Sequence, residues 1–192
     1  HYDFLGAVEN FFIKCAPAMF MGWSNLNFDR RMFHFNFFKG NRYPYATHSS
    51  PNQEHDGLHI ARAAQTLDPE TLKTELTEAG NPSLALESLS RMQGFDTSAS
   101  HTAYVDAQNS LKILRIIKGK HKENWQTFLK TSTKASVETI LKSDGIYSIF
   151  ENVKGRNMMY LTCALHPKYV FHPSYASWGY LWDLRRDPEP FL

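Results

Sequence analysis

The amino-acid sequence predicts a mainly α protein, with a compact helical centre and aromatic-rich, partly extended N- and C-terminal arms. Two observations lead to this class. Of the 14 Phe, 9 Tyr and 4 Trp side chains, 13 lie in residues 1–45, four in 46–145 and ten in 146–192. The middle instead carries repeated helix start and stop signals. We therefore expect an arm over 1–48 with a short β-like segment, a helical domain over 49–155 and a second arm over 156–192.

Within the N-terminal arm, phenylalanines alternate with polar residues over 32–37. This period of two predicts an extended strand with Phe33, Phe35 and Phe37 on one face. In the C-terminal arm, four X–Pro pairs bias the chain towards extended conformations. Such arms need another surface to shelter their rings. The alternative, that both ends fold together into an aromatic core of their own, is equally compatible with the composition.

Caps and apolar spacing predict the helices of the middle segment. We expect helices over 51–66, from Pro69 to a stop at Gly80, and from Pro82 to a stop at Gly94. The longest helix is expected from a cap at 97 or 98 to a stop at Gly119. Two short helices around 125–129 and 137–141 and a turn at 144–145 are expected to follow it. In the longest helix an apolar stripe recurs at spacings of three and four, formed by Tyr104, Ala107, Leu111, Leu114 and Ile117.

Charge and cysteine content limit the functional classes. The chain has 192 residues, with 21 Lys plus Arg against 19 Asp plus Glu and a net charge of +2. Nucleic-acid binding usually needs a concentrated basic stripe, so we expect no nucleic-acid partner. Cys15 and Cys163 form neither a disulfide framework nor a complete zinc site, which favours an intracellular, reducing compartment. Residues 5–23 are the most apolar stretch but contain charges, so we expect them to be buried or interfacial.

The sharpest chemical motif is His55-Asp56-Gly57-Leu58-His59. On a helix, two imidazoles four residues apart share one face, which is the spacing of zinc ligands in H-E-x-x-H hydrolases. Here Asp replaces Glu, and no third ligand follows at the expected distance. The alternative is that the acid complements the helix N-terminus while the histidines are exposed or hydrogen-bonded. Zinc is therefore expected only under a hydrolase hypothesis, and otherwise no cofactor.

Basic side chains recur at helical spacing near the end of the longest predicted helix. Arg115, Lys118 and Lys122, with Lys112 before them, are candidates for contact with an anionic surface, either lipid headgroups or a phosphate backbone. The alternative is that these cations complement the helix C-terminus and face water.

No G-x-S-x-G turn, dinucleotide fingerprint or P-loop is present. The sequence therefore favours a non-catalytic accessory or structural subunit of a larger assembly, and His1 in place of Met is compatible with import and cleavage. As its setting we expect a mitochondrial membrane complex, such as a respiratory or ATP-synthase complex, with other subunits and a membrane surface as partners. The alternatives are a zinc-dependent hydrolase and a ligand-binding module. The predicted interface anchors are Trp23, Arg30, Arg31, Phe33, Phe35, Phe37, Trp178, Trp182 and Arg185.

Overall fold

The computed structural model describes residues 2–98, 102–143, 145–165, 174–175 and 179–191. In chain order the elements are α1 (Tyr2–Cys15), β1 (Met19–Gly22), α2 (Asp29–Lys39), β2 (Gln53–Asp56), α3 (Gly57–Leu67), α4 (Leu86–Met92), α5 (Ala103–Lys120), α6 (Lys122–Leu129), a 3₁₀ turn (Lys130–Ser132), α7 (Lys134–Lys142), β3 (Ile146–Val153), β4 (Arg156–Ala164), β5 (Leu181–Asp183) and a second 3₁₀ turn (Glu189–Phe191).

The strands form two sheets, so the fold is α/β and the prediction of a mainly α protein is wrong. Strands β1 and β2 pair in parallel, from Met19 opposite Gln53 to Gly22 opposite Asp56. Strands β3, β4 and β5 form an antiparallel sheet in that order. The parallel pair was missed because β2 is entirely polar and β1 is a continuous part of an apolar stretch, so neither alternates.

The predicted extended segment over 32–37 lies inside helix α2. Parallel strands cannot be joined by a tight turn, and α2 is the crossover between β1 and β2. In a helix, residues four apart share a face, so Phe33 and Phe37 pack together with ring centroids 6.1 Å apart. Phe37 is 1% exposed, whereas Phe35 points outwards and is 63% exposed. The three rings therefore do not form one face.

Helix α3 begins six residues later than predicted because the chain first forms β2. Asp56 caps the helix by accepting a hydrogen bond from the Leu58 N–H at 2.9 Å. Gly57 is required at the first helical position, because a Cβ there would lie 2.9 Å from the Gly22 carbonyl oxygen. The helix predicted from Pro69 to Gly80 does not form, and that stretch is irregular, with one bridge between Leu76 and Pro82.

Two apolar clusters hold the described part of the chain together. The larger lies mainly between α3, α4 and α5 and contains Ile60, Ala61, Ala64, Leu72, Leu84, Leu89, Ile113, Leu114 and Ile117. The smaller joins α1 to α2 through Leu5, Phe12 and Phe37. The predicted stripe on the longest helix is rotated from its expected position, since Tyr104 is 72% and Leu111 is 49% exposed.

The antiparallel sheet is built around a tight hairpin. Its turn residues Lys154 and Gly155 have φ values of 49° and 82°. Positive φ at both central residues is the turn geometry that matches the twist of paired strands, and it places Val153 opposite Arg156. Across the described ranges, the helices are all too short or too polar to cross a bilayer.

Candidate functional site

The parallel strands end side by side, and polar residues of β2 and of the chain after β1 form the candidate site. In α/β sheets, ligands bind outside the carboxyl ends of parallel strands. Here β1 ends at Gly22 and β2 at Asp56, and the loop 23–28 runs from β1 into α2. We call the group at this edge the strand-end site, which comprises Asn25, Asp29, Arg30, Glu54 and Asp56.

Asp56 anchors the loop that follows β1. Its carboxylate is fully buried and accepts hydrogen bonds from the N–H groups of Ser24 at 2.8 Å, Leu58 at 2.9 Å and Leu26 at 3.4 Å. Ser24 has a φ of 58°, in the left-handed region that costs a non-glycine residue roughly 1–2 kcal/mol. Because three backbone N–H groups from the loop and from α3 donate to it, this carboxylate is a structural anchor.

Glu54 is also buried, and its charge is neutralised by Arg30. The Arg30 Nε donates to Glu54 Oε2 at 2.7 Å, and Glu54 is 6% exposed. His48 Nδ1 lies 3.7 Å from the same oxygen. The pKa of His48 is lowered, first by burial and then by the positive charge of Arg30. The imidazole is therefore neutral near pH 7, and Arg30 is the cation of this group.

Asp29 differs from the other two carboxylates because it is exposed to solvent. Its pKa is raised, first by partial burial and then by the nearby negative charges of Asp56 and Glu54. Asn25, four residues before Asp29 in the sequence, is 7% exposed, and its side-chain oxygen has no hydrogen-bond partner among the described residues. Of the three carboxylates at the strand ends, Asp29 is thus the one that can meet a ligand.

A cluster of rings borders the strand-end site. The rings of His34, Tyr45 and His48 lie with centroids 5.1–5.6 Å apart, and Tyr43 packs edge-on against Tyr45 at 5.7 Å. Tyr43 and Tyr45 are 54% and 47% exposed. These four residues are called the aromatic patch. Exposed rings next to an arginine are suited to stacking on planar groups.

A cleft of about 920 Å³ opens next to Arg30 and Glu54. One side is formed by α3 and by the stretch from α6 to α7, and the other by β3. Its wall includes apolar side chains such as Phe128, Ile140 and Ile149. The cleft therefore combines an apolar wall with a charged edge, which is the composition of a binding groove.

The zinc motif does not form. His55 lies on β2 rather than on a helix, and its Nδ1 accepts from the Asp56 N–H at 2.8 Å while its Nε2 donates to the Phe128 carbonyl at 2.9 Å. Burial lowers the pKa of His55, so the ring is neutral and fully engaged. His59 is exposed on α3. Among the residues with described positions, no three His, Cys, Asp or Glu side chains are grouped to hold a metal ion.

Of the predicted interface anchors with described positions, Phe33 and Phe37 pack together inside the smaller apolar cluster, and the others lie in different parts of the fold. Arg30 belongs to the strand-end site and Phe33 to the smaller apolar cluster, while Phe37 is buried and Phe35 and Arg31 are exposed. Trp23 donates to the Leu84 carbonyl, Trp182 donates to the Arg186 carbonyl, and Arg185 pairs with Asp183 while lying over the Tyr160 ring. Trp178 lies outside the described residues. An interface role for these side chains remains a prediction.

Sequence reasoning missed Asn25, Asp29 and Glu54. The signal that was available for Asn25 and Asp29 is positional, because polar residues that follow a strand mark the ligand-binding edge of an α/β sheet, whereas Glu54 lies inside β2 and carries no such signal. Without β1 and β2 assigned as strands, these residues looked like ordinary loop and helix-start positions.

Comparison with known proteins identifies what the chain is similar to. No family model matches it. It is 25% identical over 174 residues to exodeoxyribonuclease I of Haemophilus influenzae, covering 90% of this chain and 37% of that protein. It is 25% identical over 200 residues to exodeoxyribonuclease I of Buchnera aphidicola, covering 100% of this chain and 40% of that protein. The crystal structure of Escherichia coli exonuclease I with a dA16 oligonucleotide superposes with a TM-score of 0.79 at 19% identity, covering 98% of this chain and 40% of that chain.

These findings establish the fold and correct several predictions. The prediction of a non-catalytic subunit of a mitochondrial membrane complex is wrong, because the similar proteins are bacterial nucleases. The expected partners, other subunits and a membrane surface, are wrong for the same reason, and the zinc-hydrolase alternative has no support. The expectation of no nucleic-acid partner is also wrong, since the structural relative was solved with an oligonucleotide. An intracellular location remains compatible with bacterial relatives. The chain spans about two fifths of the length of the proteins it matches.

Proposed function

We propose that this chain is the part of an exodeoxyribonuclease that binds a DNA strand at the strand-end site and presents Asp29 to it. The observation that carries the proposal is the similarity to two exodeoxyribonucleases I over nine tenths or more of the chain. The geometry of the strand-end site supports it, because a solvent-accessible carboxylate, an arginine and exposed rings meet at the edge where α/β folds bind ligands.

Arg30 is the residue we assign to the phosphate backbone. Its Nε is held by Glu54, and its two terminal amino groups make no further hydrogen bond within the described ranges. A guanidinium fixed in this way offers two parallel donors, which matches the geometry of a phosphate. Glu54 thus orients Arg30.

The aromatic patch is the surface we assign to the bases. Base stacking on aromatic side chains contributes about 1–3 kcal/mol per base and tolerates any sequence. Tyr43 and Tyr45 are exposed, and the His34 and His48 rings make edge-on contacts with Tyr45. The patch and Arg30 together provide the two kinds of contact that a single strand requires.

A divalent metal ion is a common cofactor for hydrolysis of phosphodiesters. The described donor set does not fit one by itself, since the Asp56 oxygens accept from backbone N–H groups and Glu54 is paired with Arg30. Of the carboxylates that make up the strand-end site, Asp29 is the accessible one. We therefore assign to Asp29 the contact with the water that attacks the phosphodiester, as a proton acceptor or orienting group.

The test uses the intact protein that contains this chain and a 5′-labelled dA16 strand. Asp29→Asn is expected to leave strand binding within about threefold while slowing release of nucleotides by about 100-fold or more, the usual effect of losing a positioned acid or base. Asp3→Asn, an exposed carboxylate at the start of α1, is the matched control and should behave like the wild type. Absence of strand binding by the wild type, or full activity of Asp29→Asn, would contradict the proposal.

A further inference from the structure

The outer face of α5 and the first residue of α6 carry a concentration of positive charge. Between residues 107 and 122 there are five Lys or Arg residues and no Asp or Glu, in a chain whose net charge is only +2. Four of them, Lys112, Arg115, Lys118 and Lys122, are exposed to solvent. We call these four residues the basic face.

Helix geometry places three members of the basic face in one row. Residues three apart on a helix are neighbours and rise about 4.5 Å along its axis, so Lys112, Arg115 and Lys118 follow one another. The opposite side of α5 is buried in the larger apolar cluster through Ile113 and Ile117, each 0% exposed. The row of cations therefore projects directly away from the core.

The cations of the basic face lie next to aromatic rings rather than acids. Lys112 Nζ is 5.1 Å from the centre of the Phe95 ring, and Lys118 Nζ is 5.9 Å from that of Trp125. No salt bridge to any member of the basic face is formed within the described part of the chain. The carboxylate of Asp96 accepts a hydrogen bond from the Ser98 N–H at 2.8 Å, and its pKa is lowered first by that bond and least by the charge of Lys112.

Cations interleaved with rings are the composition of surfaces that follow a single nucleic-acid strand. A membrane surface fits less well, because a helix that lies on a bilayer inserts its apolar side, and the apolar side of α5 is already buried in the protein core. Tyr104 lies about two helical turns before Lys112 on α5 and is 72% exposed, so it extends the row with a further ring.

We infer that the basic face is a second contact for the phosphate backbone of a DNA strand, apart from the strand-end site. This inference rests on the proposed function, since it requires that the protein binds DNA. Its role is to hold the strand electrostatically, without base specificity, while the strand-end site engages another part of it.

The test measures binding of a fluorescein-labelled dA30 strand to the intact protein by anisotropy, from 50 to 300 mM NaCl. Each phosphate contact on a single strand contributes about 0.7 to the slope of log K against log salt concentration. The triple variant K112Q, R115Q and K118Q should therefore have a slope lower by about 2 and bind weaker at the lowest salt concentration.

The matched control, K14Q, K39Q and K73Q, removes the same charge from exposed positions on α1, α2 and the loop after α3. It should keep the wild-type slope, and circular dichroism of both variants checks that they are folded. Equal effects of the two variants, or an unchanged slope for the triple variant, would overturn the inference. Loss of binding to vesicles of 70% phosphatidylcholine and 30% phosphatidylserine, with DNA binding intact, would also overturn it in favour of a membrane contact.

The two proposals fail in distinguishable ways. If the wild type binds no strand at all, the proposed function fails and the inference fails with it. If the wild type binds and degrades the strand but the basic-face variant matches its control, only the inference about α5 fails.

Discussion

Charged side chains are used differently at the strand-end site and on the basic face of α5. At the strand-end site, Asp56 and Glu54 are buried. Asp56 accepts hydrogen bonds from backbone N–H groups, and Glu54 forms an ion pair with Arg30. On the basic face, the cations are exposed and lie beside rings. The difference shows that a buried charge mainly fixes geometry, whereas an exposed, unpaired row of charge remains available to a ligand.

The largest effect is expected at Asp56. Asp56→Ala removes an N-cap and leaves three N–H groups without their acceptor, so the free energy of unfolding should fall by roughly 3 kcal/mol. Asp56→Asn keeps the oxygen that accepts from Ser24 and Leu58, so its free energy of unfolding should fall by about half as much as that of Asp56→Ala. Urea unfolding of the three proteins measures this. Equal stability of Asp56→Ala and the wild type would show that Asp56 is not an anchor.

A smaller effect is expected from the pH dependence of His55. Burial lowers its pKa below the ordinary value, so the folded state holds the neutral ring and the unfolded chain takes up the proton first. Stability from this residue is fully present above about pH 6.5 and is lost as the pH falls below that value. Urea midpoints between pH 8 and 5 should drop more steeply for the wild type than for His55→Gln. Parallel curves would mean that His55 is not held neutral.

The smallest effect is expected on the basic face. Arg115→Gln removes an exposed cation that has no salt bridge within the described residues, so the free energy of unfolding should change by less than about 0.5 kcal/mol. A second variant, Glu75→Gln, breaks a surface pair with Arg91, and its urea midpoint should stay close to the wild-type value. A large fall in the free energy of unfolding of Arg115→Gln would show that Arg115 stabilises the fold instead of being available to a ligand.

Local signals predicted four helices of the middle segment, but they also predicted a helix from Pro69 to Gly80 that does not form, and they missed the two sheets. Helices α4, α5, α6 and α7 fall within or close to the predicted ranges, since caps and periodic spacing are properties of neighbouring residues. The four polar residues of β2 become a strand only through pairing with β1, more than thirty residues earlier. Phe33 and Phe37 satisfied a helical spacing as well as an alternating one, and the crossover between β1 and β2 decided between them.

The candidate site depended on the same missing information. His55 and His59 stood out because their spacing matches a known motif, but the boundary between β2 and α3 falls between them and separates their roles. Asp29 belongs to no motif that would mark it in the sequence. Its importance arises from where two strands end, which is a property of the three-dimensional fold.

The fluorescence of the Trp23 indole can report on the loop that follows β1. Its Nε1 donates to the Leu84 carbonyl at 3.1 Å, and its ring lies against Gly57, at the base of the loop that carries Asn25. Any rearrangement of this loop would change the polarity around the indole and shift its fluorescence emission. Trp125, beside Lys118, offers a separate signal for the basic face. The protein therefore contains intrinsic probes beside both charged regions, and single-tryptophan variants would follow each region in real time without an attached dye.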